Sequence, residues 1–110
     1  MFEAIYERLR EVARARELIT YKENAEMVSL DWRKDYGKCR QIFAILGAIS
    51  TSEVQQRHPM LSAVAVRQDI RIPGSGFFTL ARDLGRYQGG DDYSFWLRER
   101  DEVWDVWSSH

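Results

Sequence analysis

Cysteine occurs once in these 110 residues, and proline and histidine twice each. With Cys39 alone, an internal disulfide is impossible and a cysteine-based zinc cluster is ruled out. His58 and His110 add too few ligands, too scattered along the chain, for a metal site, and no cofactor is implied. No apolar run approaches the roughly 18 residues that a membrane span needs. The amino terminus, MFEAIYERLREVARARE, carries glutamates where a secretory leader has a basic segment and then an apolar one. These absences predict a cytoplasmic protein of a reducing compartment, with no membrane partner. Internal repeats and low-complexity tracts are also missing.

Hydrophobic residues make up 45% of the chain and charged residues 30%, which is enough apolar material for one self-sufficient core. A single domain over residues 1–110 is expected. Net charge is only −1, but residues 1–30 sum to −1, residues 31–90 to +4 and residues 91–110 to −4. The middle is basic and the tail acidic. Three of the four tryptophans, Trp96, Trp104 and Trp107, stand in that tail.

Phe2, Ile5, Leu9, Val12 and Ala13 recur at spacings of three and four, which predicts an amphipathic helix from Phe2 to Arg16. Thr20-Tyr21-Lys22-Glu23 spells a capping box that opens a short helix from Tyr21 to about Val28. Ser29 to Trp32 reads as a turn. Tyr36, Cys39, Ile42, Phe43, Leu46 and Ile49 then form the stripe of a central helix from about Lys34 to Ser50, with room for a further turn before Pro59.

Leu61 to Arg67 is apolar on both alternate faces, so it suits a strand covered on each side, and Ile70 to Ile72 alternates as a second strand. The two are expected to pair as a hairpin across Gln68-Asp69. After Pro73, Gly74-Ser75-Gly76 loops into a short helix on Phe77, Leu80, Ala81 and Leu84, with Gly85 at its left-handed cap. Gly89 to Asp92 is a flexible-looking link whose aspartates cap a last helix from about Tyr93 to Trp107.

Helix, capped short helix, turn, long helix and hairpin is the order of elements in a winged helix-turn-helix, and Ile19 to Val28 resembles the second helix of such domains. Ser29 stands where that family places a turn glycine. Pro59-Met60-Leu61-Ser62-Ala63-Val64 and Pro73-Gly74-Ser75-Gly76-Phe77, followed by an aromatic acidic helix, also resemble an uncharacterised winged-helix-like domain of small bacterial mobile-element (cassette-type) proteins. This resemblance implies an α+β fold, mostly helical, winged helix-turn-helix-like, with a small antiparallel sheet. It brings no catalytic residues with it.

In the winged-helix family the third helix enters the major groove and the wing touches backbone. The matching positions here are Arg33, Lys34, Lys38, Arg40 and Gln41 around the third helix, and Arg67 and Arg71 around the wing. Cations suit phosphates, and arginine and glutamine can read base edges. Asp31 and Asp35 interleave with them, so the same charges also read as a solvated helix face. Trp96, Trp104 and Trp107 form the second candidate surface, either core or interface.

Three other constellations carry little chemistry. Gly74-Ser75-Gly76 lacks a P-loop's lysine and a dinucleotide fingerprint's third glycine, so it reads as a turn that lets Phe77 and Phe78 pack inward. His58 and Ser62 have no third partner and no elbow, and Cys39 falls on an apolar stripe as a small hydrophobe. Glu99, Asp101, Glu102 and Asp105 read as the solvated side of a charged helix.

The sequence therefore predicts a non-enzymatic, self-associating (dimeric) binding module. DNA is the first expected partner, through the third helix and wing. A protein partner, in an adaptor- or antitoxin-like role on the aromatic terminal helix, is the second reading, and a small toxin or hydrolase the third.

Overall fold

A computed structural model describes residues 1–109, and His110, the second histidine, lies outside them. Ile5, Leu9, Val12 and Ala13 are buried along one face of α1 (Phe2–Arg14). The strand β1 (Ile19–Thr20) leads into α2 (Tyr21–Met27). There the expected capping box is formed: the Glu23 amide donates to Thr20 Oγ1 at 3.0 Å and the Thr20 amide to Glu23 Oε1 at 3.1 Å.

The central helix α3 (Tyr36–Gln55) starts later and ends later than its stripe suggests. It starts later because Asp31 Oδ1 accepts the amides of Arg33 and Lys34, at 2.8 and 3.0 Å, and holds 31–35 as a turn. It runs past Ser50-Thr51-Ser52 because each early hydroxyl finds a partner. Thr51 Oγ1 donates to the Gly47 carbonyl at 2.8 Å, and the Ser50 hydroxyl lies 2.6 Å from that of Ser62 in the core.

The segment expected as the first wing strand runs through the centre of the molecule as a 3-10 turn (Leu61–Val64) and the strand β2 (Ala65–Val66). It is covered on each side, as its composition predicts, by α1, α3 and α5. The sheet is a correction to the antiparallel expectation. β2 pairs in parallel with β1, Ile19 opposite Ala65 and Thr20 opposite Val66, and the helices between them supply the crossover that parallel pairing needs.

Ile70 to Ile72 form no strand, and no wing hairpin occurs among the described residues. The Arg67 amide donates to the Ile72 carbonyl at 2.9 Å and the Arg71 amide to that of Arg67 at 3.0 Å. Arg71 sits at φ 58°, so residues 67–72 close as a loop too tight to hold two paired strands.

α4 (Ser75–Asp83) buries Phe77 and Phe78, which is the structural use predicted for the glycine loop before it. Asp91 caps α5 (Asp92–Ser108), accepting the Ser94 amide at 2.9 Å. α5 fastens the central segment with polar groups: Trp96 Nε1 donates to the Ala63 carbonyl at 2.8 Å, and Glu99 Oε2 accepts the Met60 amide at 2.9 Å. Glu99, expected on the solvated side of α5, is instead 2% exposed. Helical spacing places it in the row Trp96, Glu99, Val103 and Trp107, all buried.

α1, α2, α3 and α4 end in the same way. In each, a residue at positive φ (Arg16, Ser29, Arg57, Gly85) follows the cap, and the next amide bonds back five residues, Glu17 to Val12, Leu30 to Ala25, His58 to Glu53 and Arg86 to Ala81. These are Schellman closures, and only one of the four has the glycine that such a position favours. Among the described residues no helix is long and apolar enough to cross a membrane.

Candidate nucleic-acid interface

Helical spacing splits α3 into two stripes. Cys39, Ile42, Leu46 and Ile49 turn into the core, whereas Tyr36, Phe43 and Gly47 lie on its flank, where Tyr36 and Phe43 are exposed. That flank is one wall of a groove of about 710 Å³. Trp32, from the turn before α3, extends the wall. The other side is built from the loop Arg67-Gln68-Asp69 and from Gly74-Ser75-Gly76 at the start of α4.

The rings meet edge to face. Trp32 and Tyr36 have centroids 6.3 Å apart, Trp32 and Phe43 6.1 Å, and Tyr21 and Phe43 4.9 Å. Such contacts hold the orientation of the rings. Tyr36 remains 60% exposed and Phe43 42%. Tyr21 ties the two sides together, since its hydroxyl accepts the Gly74 amide at 2.9 Å. Burial pushes the Tyr21 phenol above its ordinary range, against the lowering effect of that amide, so it stays neutral at physiological pH.

All seven residues expected to meet nucleic acid are exposed, but they do not form one surface. Arg67 lines the groove. Arg40 stands one turn from both Tyr36 and Phe43, on the groove side of α3, and Arg33 shares a small hollow with Trp32, Lys22, Glu26 and Asp31. Lys34 lies in the same turn as Arg33. Lys38 and Gln41 project from the far side of α3, and Arg71 sits in the 67–72 loop outside the groove lining.

Ion pairing separates these cations further. Arg67 is engaged by Asp69 through two contacts of 3.1 and 2.7 Å, which hold the Asp69 carboxyl below its ordinary range. By contrast Arg33, Lys34, Lys38 and Arg40 make no ion pair among the described residues. Asp31, between them, has its carboxyl held low by the Lys34 and Arg33 amides, so it offsets part of their charge through solvent. Residues 31–40 carry four cations and two anions, a local excess of two positive charges.

Trp32, Tyr36 and Phe43 escaped the sequence reading as site residues because two of them were assigned to the core stripe. The signal was present: Tyr36 and Phe43 are seven apart and fall to one side of the Cys39, Ile42, Leu46 and Ile49 row. On α5, Trp96 and Trp107 are buried within the chain. Trp104 is partly covered, its Nε1 donating to the Glu17 carbonyl at 3.0 Å and its ring carrying Arg100 at 4.3 Å.

His58 and Ser62 do not meet. Ser62 bonds Ser50, while His58 Nδ1 is 3.5 Å from Glu53 Oε1 and its ring meets Trp107 edge-on. Cys39 is fully buried, and burial pushes its thiol up, away from the reactive thiolate. Asp101, Glu102 and Asp105 are exposed and pair with Arg100, Arg86 and Arg16. Among the described residues no three His, Cys, Asp or Glu side chains converge as metal ligands. No protein-family model, no curated protein and no solved structure matches this chain.

Proposed function

We propose that this chain is a small non-enzymatic nucleic-acid-binding module whose site is the aromatic groove together with the cations of the turn before α3 and of its first turns. The observation that carries this reading is the juxtaposition of exposed rings, Tyr36 and Phe43, with neighbouring cations that make no ion pair among the described residues. A cluster with a net positive charge attracts an anionic polymer by counterion release, and exposed aromatic rings add a contact that a merely solvated charged surface does not need. Arg33, Lys34 and Arg40 are the phosphate contacts. Lys38 and Arg71, set off from the groove, add attraction at longer range. Contact is through a concave groove, so α3 does not act as a recognition helix laid in the major groove.

Fluorescence anisotropy of a labelled oligonucleotide over a salt series tests this. With three to four phosphate contacts, affinity falls by roughly 20- to 150-fold between about 50 and 200 mM salt. The Arg33→Glu, Lys34→Glu double variant binds at least about tenfold more weakly at low salt. Binding that is flat in salt, or unchanged in this variant, removes the assigned surface.

A further inference from the structure

We infer that the groove receives unpaired thymine nucleotides of single-stranded DNA, an inference that rests on the function proposed above. The rings line a groove between α3 and the two loops that face it, and a duplex, with its base faces stacked inside, can meet the flanking cations but has no base face to lay on the rings. An unpaired base can turn its face onto Tyr36 or Phe43, which are 60% and 42% exposed. At about 710 Å³ the groove has room for one or two nucleotides.

Arg33, next to Trp32 in the chain, and Arg40, one helical turn from Tyr36, lie outside the groove lining and take the phosphates at its rim, because Arg67 of the lining is already paired with Asp69. Gln68, on the facing loop, carries both a donor and acceptors for a base edge. Leu46, Phe77 and Leu80 of the lining give an apolar seat to the thymine methyl that uracil lacks. That methyl is the reason for assigning DNA over RNA.

The test compares oligo(dT), oligo(rU) and a hairpin duplex of equal length with the full chain at fixed salt. Oligo(dT) is expected to bind at least about tenfold tighter than the duplex and about fourfold tighter than oligo(rU), the latter being the effect of burying one methyl group. Tyr36→Ala lowers oligo(dT) affinity by about tenfold, the loss of one stacked base. Tyr36 is exposed enough for that variant to keep its fold, and Tyr36→Phe, which keeps the π-face, restores binding if stacking is the cause.

Equal or tighter duplex binding, salt-sensitive and weakened by the Arg33→Glu, Lys34→Glu variant, overturns this inference and leaves the general reading standing. Equal affinity for oligo(rU) overturns the assignment to DNA. No binding to any of the three overturns both.

Discussion

Glu99 shows how much one polar side chain does in this core. Its carboxylate accepts two bonds from Arg86, at 2.9 and 2.7 Å, and one from the Met60 amide, so it neutralises a cation and satisfies the backbone that enters the central segment. Hydrogen bonding to Glu99 holds the Arg86 guanidinium above the ordinary arginine range. Glu99→Ala leaves a partly buried cation and an amide without an acceptor. It should lower unfolding free energy by about 3–5 kcal/mol, whereas Glu102→Ala, at the exposed edge of the same network, should cost under about 1 kcal/mol. Urea denaturation of both variants checks this, and equal losses would contradict the assignment. Glu99 was illegible in the sequence for a physical reason: charge marks a residue as solvated unless its partners are known, and Arg86 and Met60 lie far from it in the chain.

At the scale of elements, local chemistry was legible where one residue does the work. Thr20 with Glu23, Asp91, and Gly85 at φ 75° all take the positions their side chains or their lack of one predict. Two kinds of boundary were not. β1 and β2 have two residues each, and their pairing depends on the path of α2 and α3, so no local alternation records it. The ends of α1, α2 and α3 use Arg16, Ser29 and Arg57 in the left-handed region, where only the Schellman bonds announce the turn. Ser29 occupies the place of a turn glycine and adopts a glycine's conformation. Replacing Arg16, Ser29 or Arg57 by glycine relieves Cβ crowding at some cost in unfolded-chain entropy, so each variant should gain about 0.5–1 kcal/mol, additively. Thermal melts of the single and triple variants check this, and destabilisation by all three would contradict the backbone assignment.

Across the whole molecule, a nearly neutral chain separates its charges. The acidic side of α5 is matched internally by Arg16, Arg86 and Arg100, while Arg33, Lys34, Lys38 and Arg40 make no ion pair among the described residues. The mostly helical character, the single core and the basic middle were legible in the sequence because they depend on periodicity and composition. The groove was not, because it forms where the flank of α3 meets loops twenty residues and more away, and the sheet that was to make a wing closes instead inside the fold. The account's central claim is that this groove is where nucleic acid binds. Nuclear magnetic resonance titration of isotope-labelled protein with oligo(dT) tests it most directly. Shifts concentrated at Trp32 to Phe43 and Arg67 to Gly76, including the Trp32 indole, with α1 and the outer face of α5 unmoved, are the predicted result; shifts confined to α5, or none at all, would contradict it.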